Sequence, residues 1–267
     1  MTDTSPKPFA VRAENVSVQY MIRYFRSDVT LRETLVQTLD PRRWRDDRTR
    51  WSARHWAIRD VSFALREGEV AGFVGRNGSG KTTLLQAVAG VFRPDRGRIL
   101  RRGQVSCLLS LGAGFNANLA GRENIHLNGA VLGVGRAAIE AAIEDVIEFS
   151  DLGRFIDAPV RTYSAGMRSR LGFSVAMLVD PDIVILDEVI RAGDAAFREK
   201  AGSILDRFRE RGKTVLIASH SLDLIEKRCD RVFWLDRGAL RLEGPAAEVT
   251  QAYLEDSRRE KSRLGAG

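Results

Sequence analysis

Glu69-Val-Ala-Gly-Phe-Val-Gly-Arg-Asn-Gly-Ser-Gly-Lys-Thr-Thr83 is the stretch on which the reading of the chain turns. Its first part, Glu69 to Gly75, is a short apolar run without alternation, the pattern of a strand buried on both faces. It runs into Gly75-Arg-Asn-Gly-Ser-Gly-Lys-Thr82, which fits GxxxxGK[ST] with a strand before it and a helix after it. Glycines at 75, 78 and 80 let backbone N–H groups curl around an anion. The helix expected over Lys81–Gly90 aims the positive end of its dipole at the same point. Lys81 then reaches the β- and γ-phosphates of a nucleoside triphosphate, and Thr82 offers its hydroxyl to Mg²⁺. Asn77, Ser79 and Thr83 complete the candidate nucleotide contacts.

Two further strands read outward from this loop. Asp182-Ile-Val-Ile-Leu-Asp-Glu188 is apolar until it ends in two carboxylates, which puts both at the carboxyl edge of the sheet beside the phosphate loop. Asp187 is expected in the Mg²⁺ shell, and Glu188 is expected to polarise the attacking water as general base. Thr214-Val-Leu-Ile-Ala-Ser-His220 ends on one of three histidines in the chain. At that edge His220 is expected to contact the γ-phosphate or the water. Glu188, His220 and Lys81 are thus the candidate catalytic residues.

Short apolar strands alternate with amphipathic helices from Val61 onward, which argues for an α/β fold with a largely parallel sheet covered by helices. Arg136 to Phe149 is the clearest helix, with Ile139, Ile143, Val146 and Ile147 at helical spacing. A β-like start at Ala10–Gln19 precedes an irregular stretch, Met21 to about Trp56, read as an insertion. Ser257–Gly267 is polar and basic, and a frayed end is expected there.

With 267 residues and 44% hydrophobic content the chain can bury a substantial core. Two cysteines, Cys107 and Cys229, exclude a disulfide framework and stand outside metal-ligand spacing. No leader-like start and no apolar run of membrane-spanning length is present, so a cytosolic protein is expected. The net charge of +7 suits an acidic partner. Six arginines and two tryptophans crowd Pro41–His55, a mixture that fits a membrane interface and a nucleic acid equally.

Tyr163-Ser-Ala-Gly-Met167 narrows the family. It resembles the signature loop of ATP-binding-cassette (ABC) proteins, which most often reads LSGGQ. Ser164 and Gly166 keep the positions that face phosphate, at the start of an apolar helix expected over Met167–Leu178. Leu111-Gly-Ala-Gly-Phe115, Gly121-Arg-Glu-Asn-Ile125, Leu186-Asp-Glu-Val-Ile-Arg-Ala-Gly-Asp194, Ser219-His-Ser-Leu222 and Cys229-Asp-Arg-Val-Phe-Trp-Leu-Asp236 look like one branch, the ATPase subunits of bacterial polysaccharide exporters.

The resemblance implies an ABC nucleotide-binding domain over residues 1–253, with a mainly parallel core sheet, an antiparallel β subdomain and a helical subdomain at about 112–178. The insertion at about 21–56 and a basic tail at 254–267 complete it. It implies ATP and Mg²⁺ as cofactors and a head-to-tail homodimer with two ATPs at its interface, where Asp194 couples the sites. It further implies two copies of an integral membrane permease, a lipid-linked polysaccharide such as O-antigen or teichoic acid as cargo, and a place on the cytoplasmic face of the bacterial inner membrane. Tyr20 or Trp56 is left to stack on adenine. The glutamine that many cassettes carry before the helical subdomain has no clear counterpart, since Ser110 or Leu111 falls there. An exporter of another cargo, and a soluble ABC protein acting on nucleic acid or the ribosome, are the alternatives. The latter typically carries paired cassettes or a long coiled coil, so no nucleic acid is expected here.

Overall fold

The computed structural model describes residues 8–23, 52–107, 114–187, 195–219 and 221–264. Glu188, Asp194, His220, Ser110, Leu111 and the bulk of the expected insertion, 24–51, lie outside the described residues. Two sheets share the core. β3 (Val70–Val74), β5 (Val105–Cys107), β6 (Ile183–Asp187), β7 (Thr214–Ala218), β8 (Arg231–Asp236) and β9 (Ala239–Pro245) form a six-stranded sheet in the order β5-β6-β7-β3-β8-β9. All neighbours are parallel except the β8–β9 hairpin. β1 (Phe9–Arg23), β2 (Ser52–Arg66) and β4 (Arg96–Arg101) form an antiparallel sheet in the order β2-β1-β4.

Every residue of β3 and β7 is buried, and alternate residues explain how. Val70, Val74, Val184, Leu186, Val215, Ile217, Val232 and Trp234 face one layer, with Phe173, Leu205, Phe208, Ile225 and Val249 packed on them. Ala71, Phe73, Ile183, Ile185, Leu216, Ala218, Phe233 and Leu235 face the other, against Leu84, Leu85 and Val88 and the antiparallel sheet. A period of two feeding two opposite apolar layers is what turns alternation into an unbroken apolar run. Phe63, Phe73 and Phe233 meet at centroid distances of 5.1 to 5.5 Å where the two sheets join. Cys229 belongs to the first layer, and burial pushes its thiol up to about 12, so it is an inert core group.

α1 (Lys81–Ala89) directly follows the expected phosphate loop, and α4 (Ala165–Val175) directly follows Ser164. α2 (Gly121–Val131), α3 (Arg136–Ser150) and α4 enclose a third cluster that includes Ile125, Ile139, Ile143, Val146, Leu171 and Val175. Ile147 packs partly buried against it. α5 (Ala195–Glu210), α6 (Leu222–Arg228) and α7 (Ala246–Leu264) follow β6, β7 and β9.

Three expectations change. The ends of the 21–56 stretch are strand, since the β1–β2 register continues through Tyr20↔His55, Met21↔Arg54 and Arg23↔Ser52. Ladder hydrogen bonds come from the partner strand and need no apolar face, so polar composition concealed them. The expected frayed end is helical to Leu264, within one helix that passes through Tyr253 without a break. Its polar residues are good helix formers held by ion pairs to the body of the molecule. The signature helix starts at Ala165 rather than Met167, because the Ser164 side chain caps it.

Candidate nucleotide site

Gly75, Asn77, Gly78, Ser79, Gly80, Lys81, Thr82 and Thr83 lie together where β3 turns into α1. Lys81, 6% exposed, donates from Nζ to the carbonyls of Gly75 at 2.7 Å and Arg76 at 3.0 Å, which fixes its ammonium inside the loop. The Arg76 carbonyl also accepts from Ser79 N–H at 3.1 Å. α1 begins without a side-chain cap and has no acid in its own first turn, so its leading N–H groups carry a partial positive charge that no carboxylate of the helix itself answers. Ser79 Oγ is buried and has no hydrogen-bond partner among the described residues. Donors left unsatisfied around a glycine turn are what an anion such as a triphosphate requires, so these residues fit that group.

The end of β6 comes to the same place. Thr82 donates its hydroxyl to Asp187 Oδ2 at 2.6 Å, joining the phosphate loop to the acidic strand end expected beside it. Asp187 is the register partner of Ala218 in β7, so the two strands that lead to Glu188 and His220 finish level with each other.

Behind the loop lies a support that sequence reasoning missed. The β8–β9 turn, Arg237-Gly238, donates from Gly238 N–H to the Ser79 carbonyl at 3.1 Å, and the Gly238 carbonyl accepts from Arg59 N–H at 2.7 Å. The Ala57 carbonyl is wedged between two glycines: a Cβ on Gly80 would lie 2.6 Å from it, and one on Gly238 would lie 2.8 Å from it. Arg237 and Gly238 both have positive φ, at 47° and 82°, the sign of a tight hairpin of the type that Xaa-Gly pairs favour. That dipeptide between two apolar runs was the available signal. Gly238→Ala should therefore cost about 2 kcal/mol or more from backbone conformation and close approach. A melting temperature lowered by several degrees, together with weaker nucleotide binding, is the expected measurement.

Ser164 and Gly166 occupy a second concavity, shared with Asp151, Leu152, Phe155 and Arg170. Ser164 Oγ accepts from Met167 N–H at 3.2 Å, capping α4, and the Arg168 guanidinium donates to the Tyr163 carbonyl at 2.6 Å. Tyr163 stands where the commonest signature has leucine, and its surroundings explain the exchange. It is 3% exposed in the helical core, and its hydroxyl donates to the Phe155 carbonyl at 2.5 Å. Burial raises its pKa, which keeps that donor protonated.

Of the two aromatic candidates, Tyr20 is 44% exposed on β1, so it is not core. Trp56 pairs with Gln19, carries the Arg96 guanidinium 5.2 Å from its ring centroid, and immediately precedes Ala57 against the phosphate loop.

The family model for ABC transporters matches residues 58–191, half of the chain. The chain belongs to the ABC transporter family. This cassette is similar to the O-antigen export system ATP-binding protein of Klebsiella pneumoniae, 46% identical over 202 residues, or 76% of this chain and 82% of that one. It is 45% identical over 199 residues to the Myxococcus xanthus protein of the same description, covering 74% of this chain but 46% of that one. It is 44% identical over 198 residues to the teichoic acids export ATP-binding protein of Enterococcus faecalis, covering 74% and 44% respectively. The cassette thus spans less than half the length of two of these relatives. Among solved structures, a dimeric ATP-binding cassette in a post-hydrolysis state with ADP and phosphate superimposes with a TM-score of 0.69 at 19% identity, over 88% of this chain and 98% of that one, which concerns the fold. As a member of this family the cassette binds ATP and is an ATPase. No helix among the described residues is long and apolar enough to cross a membrane.

Proposed function

We propose that the cassette powers export of a lipid-linked polysaccharide across a bacterial cytoplasmic membrane, working as a homodimer beneath two copies of a separate permease. The observation that carries this reading is the division of the phosphate-binding apparatus. Lys81 and its loop lie where β3 turns into α1, while Ser164 and Gly166, a second helix N-terminus, line a different concavity. Two copies arranged head to tail let the Ser164 loop of one cover the ATP seated on Lys81 of the other.

The chain's own residues then have distinct tasks. Lys81, Asn77, Ser79, Thr83 and the loop amides hold the phosphates. Thr82 and Asp187 present oxygen atoms suited to Mg²⁺, a hard cation that keeps most of its waters and takes one or two protein oxygens beside phosphate. When bound, Mg²⁺ neutralises developing charge on the transferred phosphoryl group. Glu188 takes the proton of the attacking water, His220 contacts the γ-phosphate or that water, and Asp194 links the two sites. Tyr20 or Trp56 covers the adenine.

The cargo follows from the relatives, named for O-antigen and teichoic acid export. Depletion in the native cell should cause a lipid-linked glycan to accumulate on the cytoplasmic side. Accumulation of no such polymer, with the cassette instead copurifying with nucleic acid or with the permease of another cargo, would overturn the assignment.

A further inference from the structure

The phosphate loop has an unexpected neighbour at the far end of the chain. Arg76, the residue after Gly75, forms an ion pair of 2.6 Å with Glu260 near the end of α7. One turn earlier Asp256 accepts from Arg241 of β9 at 2.8 Å, and Arg241 also approaches Asp236 at 3.8 Å. The Arg241 guanidinium lies 4.2 Å from the Trp234 ring centroid, and Tyr253 of α7 packs edge-on against the same ring at 5.5 Å. Asp256 and Glu260 are four apart and so share a helix face. Between this face and the loop runs a groove of about 470 Å³, walled by Arg76, Asn77 and Gly78 on one side and Asp256, Arg259 and Glu260 on the other.

We propose that α7 is a brace for the phosphate loop and that Glu260 is a positioning residue for nucleotide, acting through Arg76. This rests on the reading of the loop as the nucleotide cradle. The Arg76 carbonyl is the point to which both Ser79 N–H and Lys81 Nζ are tied, so restraint on the Arg76 side chain restrains the floor of the cradle. A loop ordered before binding loses less conformational freedom when nucleotide arrives, and affinity rises accordingly. By linkage, nucleotide must in turn steady α7.

The pair is partly exposed, 42% at Arg76 and 35% at Glu260, so the expected effect is modest and sensitive to salt. With full-length protein in low salt, Glu260→Gln should raise the dissociation constant for ATP about three-fold and Glu260→Arg about ten-fold, with kcat little changed. Glu260→Asp should recover part of the loss. The gap between wild type and Glu260→Gln should close as salt rises. Binding of ADP without turnover should slow amide hydrogen exchange in residues 255–264 of wild type and leave it unslowed in Glu260→Gln. Wild-type or tighter affinity in the glutamine variant, or exchange in α7 indifferent to ADP, overturns the brace. A wild-type protein that binds no nucleotide sinks the cradle reading instead, which separates the two failures.

Discussion

Replacing Lys81 by alanine is expected to raise the dissociation constant for ATP by about a hundredfold or more, the largest loss of binding for any single side chain. Its ammonium is almost fully buried and held by two loop carbonyls, so the charge is already in place before nucleotide arrives. A hydrogen bond to a charged group contributes roughly 1.5–3 kcal/mol, and about 1.4 kcal/mol is a factor of ten in affinity, so two such bonds to phosphate account for the predicted loss. Removing Lys81 also takes its donor from the Gly75 carbonyl and leaves the Arg76 carbonyl with Ser79 N–H, so nucleotide-free protein should melt somewhat earlier. The decisive measurement is therefore the ATP-dependent rise in melting temperature of each protein over its own nucleotide-free form, since the free energy behind that rise is set by ligand concentration over dissociation constant. An undiminished rise at equal ATP would remove Lys81 from the phosphate site.

The strands that frame the site were legible because each is a short apolar run ending in polar residues. Val70–Val74, Ile183–Asp187 and Thr214–Ala218 sit within the stretches Glu69–Gly75, Asp182–Glu188 and Thr214–His220 read as strands with their polar ends. The phosphate loop was legible because its spacing is dictated by chemistry, and Thr82 does meet Asp187. What escaped the sequence depends on partners distant along the chain. Nothing local in Met21–Arg23 or Ser52–His55 announces a strand; each is one because the other lies alongside. The C-terminal helix reads as a basic tail until Glu260 finds Arg76 and Asp256 finds Arg241. Tyr163 looks like a departure from the signature until the Phe155 carbonyl supplies an acceptor inside the helical core. Gly238 shows its worth only when Ser79 and Ala57 are beside it. In each case the sequence carries one half of a contact, and the half alone has an ordinary explanation.

Glu188→Gln should have the opposite profile from the lysine variant, with ATP binding kept and turnover lost by roughly a thousandfold, the scale of a positioned general base. The amide preserves volume and can still hydrogen-bond water, but it cannot accept the proton that water must release. Asp187, one residue earlier, is tied to Thr82, and β6 behind it is buried from Ile183 to Leu186, so the substitution should leave the strand and the phosphate contacts undisturbed. Unhydrolysed ATP then has a mechanical consequence. A ligand shifts an equilibrium only by its preference for one state over the other, so ATP held between two copies stabilises the closed pair for as long as it stays intact. The variant with ATP should accordingly elute as a dimer in size-exclusion chromatography, while wild type with ADP elutes as a monomer. ATPase activity within a few-fold of wild type would show that Glu188 is not the base. Lost turnover with no dimer, even with the permease present, would keep the base and discard the shared site, because the Ser164 loop of a second copy would then have no ATP to cover.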